Sequence, residues 1–355
     1  MKVLCIANGT LFVGHQELAI ASGLKEVGHE VKILHDIDHG IFCNGWIPAP
    51  LISEDIIKVP HGVYTTIPES IEKPDVIIGI DQSVVPYVAS LKKFYGVPAF
   101  CIFLDFPVHV IDPGQPNYNQ DYSNRFYRYL KIGEELDSLI FISSVAAEEY
   151  TKRTQKPAKK SFFVVATLDM IYKINNSEMV DVEPYVSSSH RFEEFKGGRY
   201  LIEALYGIDI GYKAVAVGGS QEAEQVALAK SYLGKRFEYF PKAPELKKHE
   251  IVKNSRLLCY PQCNPWMGAI APLEAMALGV PAVVFDYPIN REEYEDCAIY
   301  AKPKDVEDLQ AKILQVLNRE VDLFSLRRRA HKRVDDYFSP RASGERLTKI
   351  FEEYV

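Results

Sequence analysis

Two stretches of this chain carry residue types and spacings that could handle an anion. The first is the basic pair Arg191 and Lys196, five residues apart in HRFEEFKGG and followed by Gly197 and a helical pattern. Arginine offers a planar fork of donors and lysine a compact point charge, so together they can take over the part of a metal ion. A solvated basic face is the simpler account of the same spacing.

The second stretch runs from Pro265 to Asp286, PWMGAIAPLEAMALGVPAVVFD. A loop holding Gly268, Ala269 and Ile270 precedes a helix pattern (Leu273, Ala275, Met276, Ala277, Leu278). Gly279 stops that helix, with Pro281 just beyond it. Ala282 to Phe285 then reads as a strand buried on both faces of a parallel sheet. This reading puts Glu274 in the first helical turn, where the helix dipole favours a carboxylate. The N–H groups of the preceding loop are available to an anion. A glutamate capping a core helix explains the same pattern.

The elements that must position these residues form repeating strand–helix units. Met1 to Ala7 reads as a strand, Asn8 to Gly14 as a loop, and Leu18, Ala21, Leu24 and Val27 as a helix ending at Gly28. A second strand follows at Val31 to Leu34, opening a doubly wound sheet. The GxGxxG dinucleotide fingerprint is missing, which argues against a nicotinamide enzyme. Further strands are expected at Val76 to Gly79, Ala99 to Leu104, Leu139 to Ile142 and Phe162 to Val165. After a polar linker at Lys173 to Glu183 the pattern restarts, with strands at Pro184 to Ser188, Ala214 to Val217, Leu257 to Tyr260 and Ala282 to Phe285 and a helix at Arg199 to Leu205. An internal echo links the halves: GVPAFCIFLDFP at Gly96 to Pro107 against GVPAVVFDYP at Gly279 to Pro288. Both read as a helix stop, a buried strand and an aspartate at the strand end where α/β sheets bind ligands. Asp105 ends the first of these, with His109 four residues on; a surface histidine is the simpler account of His109.

The run LEAMALGVP at Leu273 to Pro281 resembles the LEAMAxGxP core of the retaining, nucleotide-sugar-dependent glycosyltransferases of GT-B fold, the glycogen-synthase-like and mannosyltransferase-like group called family four. Arg191 to Gly197 resembles that group's GRxxxxKG segment, and NGTLFVGHQELAIASGLKEVGHEV resembles its first strand–helix unit. The resemblance implies two Rossmann-like doubly wound domains facing a cleft. It implies that Glu274 contacts the donor ribose, and that the backbone of Gly268, Ala269 and Ile270 cradles the diphosphate. It further implies that Arg191 and Lys196 hold the charge of the leaving nucleoside diphosphate, that Gly14 lets backbone approach the phosphates, and that Asp105 and His109 face the reaction centre. The chain departs from the pattern in five places, one of them the spacing from Gly268 to Glu274, which is one residue longer than usual. His190 replaces the glycine before the arginine. Leu104 stands where a histidine is usual. Trp266 takes the place of the carboxylate eight residues before Glu274 and could stack on a sugar face. Asp169 lacks the asparagine and glycine that normally precede it.

On this reading residues 1–172 form an acceptor-side domain and 184–338 a nucleotide-sugar domain, and a last helix at about 339–355 packs back onto the first. A net charge of −7 gives nucleic-acid binding no global support. The six cysteines (Cys5, Cys43, Cys101, Cys259, Cys263, Cys297) contain no CxxC pair and read as free thiols of a reducing compartment. Neither a signal peptide nor a membrane span is legible, so a cytoplasmic protein is expected, with peripheral membrane contact left open. Asp36 and Asp38 spell a DxD that could hold a divalent ion elsewhere, but no metal and no cofactor is expected in this fold. The nucleoside-diphosphate sugar is a substrate. The expected activity is transfer of its sugar to a hydroxyl acceptor, whether glycan, lipid-linked or small molecule. A catalytically weak nucleotide-sugar-binding protein and a GT-B-type epimerase are the alternatives.

Overall fold

The computed structural model describes residues 1–7, 16–36, 50–59, 71–104, 106–115, 118–162, 164–165, 167–175, 185–216 and 218–355. The chain divides into two compact units: Met1–Ala166 with Trp266–Gly268 and Tyr337–Val355, and Thr167–Pro265 with Ala269–Asp336.

The first unit contains β1 (Lys2–Ala7), α1 (Gln16–Glu26), β2 (Glu30–Asp36), β3 (Ile56–Val59), β4 (Val76–Ile80), α2 (Val85–Tyr95) and β5 (Ala99–Phe103). It continues with α3 (Val108–Ile111), α4 (Gln120–Gly133), β6 (Ser138–Phe141), α5 (Ser144–Thr154) and β7 (Lys159–Lys160). Its strands lie in the order β3-β2-β1-β4-β5-β6-β7, and each described pairing is parallel. The central strands are buried along their length, as VLCIA, VIIGI and AFCIF require when helices cover both faces.

The second unit contains α6 (Leu168–Asn175), β8 (Tyr185–Ser189), α7 (Gly198–Leu205), β9 (Gly211–Ala216), α8 (Glu222–Leu233), β10 (Phe237–Pro241) and α9 (Glu245–Lys253). It continues with β11 (Leu257–Tyr260), α10 (Ile270–Ala277), β12 (Ala282–Phe285), α11 (Pro288–Tyr294), β13 (Ile299–Ala301), α12 (Val306–Leu317) and α13 (Leu323–Arg333). Its strands lie in the order β10-β9-β8-β11-β12-β13, again all parallel. The echoed segments supply β5 and β12, the strands next but one to the first strand of their sheets. Each is preceded by a left-handed glycine, Gly96 (φ 63°) and Gly279 (φ 72°). At Gly279 the helix stop is a Schellman motif, with Val280 N–H bonded to Ala275 O at 2.8 Å and Gly279 N–H to Met276 O at 3.0 Å.

After a π-helical turn at Val334–Phe338 the chain forms α14 (Pro340–Phe351), which lies against α1 in the first unit. Ser339 caps α14 by accepting from Ala342 N at 3.2 Å. The two helices cross at glycines. A Cβ on Gly23 would sit 1.9 Å from the Pro340 carbonyl oxygen, and one on Gly344 would sit 2.2 Å from that of Gly23.

One expected strand is not formed. Phe162 to Val165 has no strand residue among those described, and strand pairing stops at Lys159–Lys160. Val165 N–H instead donates to Phe338 O at 2.8 Å. Val164 exchanges hydrogen bonds with the Gln16 side chain, its N–H donating to Oε1 at 2.7 Å and its carbonyl accepting from Nε2 at 2.5 Å. Val164 and Val165 are buried, but their hydrogen bonds go to a side chain and to the π-helical turn.

Five described cysteines are free thiols, and Cys43 lies outside the described residues. No described helix is long and apolar enough to cross a membrane.

Candidate functional site

Ligands of open α/β sheets bind beyond the strand C-termini, where the strand order reverses. In the second unit that point lies between β8 and β11, which pair side by side. The segment after β8 carries Arg191 and Lys196, and the segment after β11 leads to Gly268 and α10.

These two segments are locked together. Gly197 adopts φ 73°, and a Cβ there would meet the Pro261 carbonyl oxygen at 1.8 Å. Cys263 N–H donates to Phe195 O at 2.7 Å. Lys196 is buried, and its ammonium donates to Tyr260 Oη at 2.9 Å and Gln262 Oε1 at 2.8 Å. Arg191 is half exposed, with a guanidinium nitrogen 4.0 Å from Glu193. Tyr260 connects the site: burial pushes its hydroxyl up, the Arg191 charge pulls it down, and Glu293 pushes it up again. His190 is buried edge-on against Phe192 and Tyr260, and its Nδ1 pairs with the Arg191 carbonyl oxygen at 2.9 Å. Burial lowers its pKa to about 4, so the imidazole is neutral at pH 7. A histidine fits here because Gly198 leaves room, since a Cβ on Gly198 would lie 3.2 Å from His190 Cε1.

The start of α10 is gripped from both sides. Ala269 is its N-cap, with extended φ −147° and ψ 136°. Ala269 N–H donates to Glu293 Oε2 at 3.3 Å, and its carbonyl accepts from Tyr294 Oη at 3.0 Å. Glu293 is buried on α11, and burial raises its pKa to about 8, with opposing pulls from Tyr294, Ala269 and Arg333. A neutral carboxyl therefore sits beside the N–H groups that open the helix.

Glu274 is placed differently from the expectation. It is the fifth residue of α10, which has no acidic residue in its first turn. Neither a dipole-stabilised carboxylate nor a cap of its own helix describes it. The residue is 8% exposed, and its carboxylate accepts from Lys248 Nζ of α9 at 3.0 Å and from Thr167 Oγ1 at 3.3 Å. Lys248 also reaches Glu245 at 2.5 Å. Burial alone would lower the lysine's pKa, but the charges of Glu274 and Glu245 outweigh it and hold the ammonium above its ordinary value.

Trp266 to Gly268 group with the first unit, where the half-buried Trp266 ring packs on the apolar cluster of Leu34, Phe103 and Phe106. Of the other expected residues, Gly14, Asp38 and Asp105 lie outside the described residues, as do the side chains of His109 and Asp36. Leu104 is buried at the end of β5. Asp169 lies in the first turn of α6.

Sequence reasoning passed over two carboxylates at the first unit's own switch point, between β1 and β4. Glu17 is buried in the first turn of α1, and burial raises its pKa to about 8 with a smaller push from Asp81. Asp81 follows β4 at φ 86°, a strained conformation for a residue with a Cβ, and burial raises its pKa too. Its Oδ1 accepts from Ser83 N–H at 2.9 Å and Ser83 Oγ at 2.5 Å. The strand-end rule that picked out Asp105 applies equally to Asp81 in GIDQS. Lys248 and Glu293 gave no such signal.

Two doubly wound, all-parallel sheets that share a six-strand order, extended in the first by β7, make this a protein of the GT-B fold. Residues 173–335 match the family model described as "Glycosyl transferases group 1". Among proteins of curated function none matches the chain by sequence. The fold is similar to that of sucrose-phosphate synthase from Thermosynechococcus elongatus (TM-score 0.74, 16% identity, covering 99% of each chain). It is also similar to a glycosyltransferase from Rickettsia africae ESF-5 (TM-score 0.75, 15% identity, covering 99% of this chain and 98% of that one). Anabaena HepE, crystallised in complex with UDP, matches with TM-score 0.75 and 14% identity over 99% of this chain and 100% of its own.

Proposed function

We propose that this protein is a glycosyltransferase that moves a sugar from a nucleoside-diphosphate donor to a hydroxyl acceptor, with retention, in the manner of the family-four enzymes. The observation that carries this reading is the pairing of a cationic loop and a helix start on neighbouring strands of the second unit's switch point, with Tyr260 between them. Arg191 and Lys196 take the diphosphate charge that grows as the glycosidic bond breaks, in place of a metal ion. Lys196 is held by Tyr260 and Gln262 before any donor arrives, so little reorganisation is needed when charge develops. Backbone N–H groups from Gly268 to Ile270 complete the phosphate cradle, and Gly14 is assigned to the same donor phosphates. Trp266 lines the donor side. Glu274 takes the ribose diol, exchanging its bond to Lys248 for one to the sugar. Asp105 and His109 act at the reaction centre, and the carboxyls of Glu17 and Asp81 join them on the acceptor side. The UDP bound to HepE makes uracil the first base to test. Cytoplasmic location and contact with a membrane-borne acceptor belong to the same proposal.

The test is thermal stability in the presence of UDP, GDP, ADP and their sugars, with and without EDTA, on wild type and on Arg191→Ala/Lys196→Ala. A ligand that binds only the native state raises the melting temperature by mass action. One diphosphate should stabilise the wild type with EDTA present and leave the double variant unmoved. A shift that survives both substitutions would place the donor elsewhere and overturn the assignment. Should a diphosphate bind while no acceptor mixture consumes its sugar, the binding-protein reading takes over. That reading already draws on Leu104 and Trp266 standing where the family carries polar groups.

A further inference from the structure

We propose that Glu245, His249 and Glu274 form a binding site for a divalent transition-metal ion, entered by displacement of the Lys248 ammonium. Glu245 and His249 stand four residues apart on α9, and so on one face of the helix. Glu274 reaches the same point from α10. One ligand atom from each of the three lies within 4.8 Å of the others. His249 Nε2 is 3.7 Å from Glu245 Oε2, close to the roughly 3.4 Å edge of a tetrahedron built on zinc bonds of about 2.1 Å.

The independent sign of a ligand is the histidine. His249 is 0% exposed, and neither ring nitrogen makes a hydrogen bond to any described residue. A buried imidazole without a hydrogen bond costs stability, whereas a ring nitrogen facing two carboxylates is what a borderline-soft cation takes. One imidazole nitrogen and two carboxylate oxygens suit zinc, nickel or cobalt better than magnesium or calcium, which seek oxygen alone.

At present the Lys248 ammonium is the cation of this cluster, 2.5 Å from Glu245 and 3.0 Å from Glu274. It neutralises one of two carboxylate charges. A dication would neutralise both, and Lys248 has a route out because its side chain is 15% exposed on a flexible four-carbon stem. Its departure trades a helix-borne counterion for the metal, so the site is a switch between two cations. The consequence for activity rests on the donor reading given above: Glu274 cannot ligate an ion and a ribose diol together, so metal and donor exclude each other.

The experiment is calorimetric titration of the full chain with zinc chloride, repeated with nickel chloride, on wild type, Lys248→Met, His249→Phe and Glu245→Gln. Wild type should take up one equivalent that His249→Phe and Glu245→Gln both lose. Lys248→Met should bind at least tenfold tighter than wild type, because the competing ammonium is gone. It should also regain in zinc the melting temperature it loses in its absence. Circular dichroism establishes that each variant is folded, and Glu245→Gln decides should His249→Phe not fold. An affinity unchanged by Lys248→Met, or an equivalent of zinc that survives both ligand substitutions, overturns the proposal, since surface histidines would account for either. A final arm adds UDP. If zinc binds at these residues and UDP does not weaken it, the metal site stands and the ribose role of Glu274 falls.

Discussion

Replacing Glu293 by glutamine should change how the stability of the second unit depends on pH. Burial raises the Glu293 carboxyl from an ordinary 4.5 to about 8. Between those values the folded chain holds a proton that the unfolded chain has lost, so stability falls as pH rises, by about 1.4 kcal/mol per unit. The contribution is fully present below about 4.5 and gone above about 8. Over that window the loss sums to about 5 kcal/mol, an upper bound because the cavity relaxes around the charge. Glutamine has the same shape and never ionises, so the Glu293→Gln variant gains on wild type by about 3 kcal/mol between pH 5.5 and 7.5. Glu17, raised to about 8 by its own burial, imposes the same slope on the first unit and serves as the internal control. Differential scanning calorimetry at pH 5.5, 6.5 and 7.5 reads both. One transition should lose its pH dependence in the variant while the other keeps it. Parallel curves for variant and wild type would refute the reasoning. They would mean that Glu293 is ionised in the folded protein, with Arg333, whose guanidinium already bonds the Glu293 carbonyl oxygen at 2.6 Å, as its counterion. The same proton matters for the donor, since a neutral Glu293 beside Ala269 N–H does not repel a diphosphate, so nucleotide affinity should weaken above about pH 8.

Three further outcomes follow from packing and pairing. Gly197→Ala combines a positive φ with a Cβ 1.8 Å from the Pro261 oxygen, and should abolish the nucleotide-induced rise in melting temperature while costing about 1–3 kcal/mol in urea unfolding. Gly23→Ala drives a methyl into the Pro340 carbonyl at 1.9 Å; it should destabilise the first unit by a similar amount and expose the 340–351 helix to limited proteolysis. Asp112→Asn breaks a two-toothed ion pair with Arg153, both bonds 2.8 Å, that holds the Asp112 carboxyl below its ordinary 3.8. Its stabilisation is present above that value and lost as pH falls below it, so the variant should be about 1–2 kcal/mol weaker in urea at pH 7, a gap that narrows as pH drops below 3.8.

The interior of each sheet was legible because strands buried on both faces leave unbroken apolar runs, as in VLCIA and AVVF. Strands at sheet edges leave none. FEYFP at β10 is half exposed, β13 has three residues, and β3 closes the opposite edge of the first sheet, so none of them was foreseen. The run FFVV misled in the other direction, since Val164 and Val165 are buried without strand pairing. Within the site, Gly197 and Gly279 announced their turns because only glycine adopts those backbone angles at no cost. The start of α10 was misplaced because its N-cap is an alanine, which sends no signal. The partners of Glu274 could not be read at all. Lys248 lies 26 residues away and Thr167 lies 107 away, and nothing local ties either to a carboxylate on another helix.

The meeting of α1 and α14 sets the order in which this chain can mature. The groove that α1 offers is shaped by the bare backbone at Gly23 and is filled by a helix that a ribosome makes only after the whole second unit. Until then the first unit is an unfinished nascent body, with Leu18, Ile20 and Leu24 on a helix whose neighbour has yet to be translated. A stop codon just before Ser339 would leave every residue of the proposed donor site encoded. Such a product would be a client for chaperones and proteases, removed by quality control before it could be tested for catalysis.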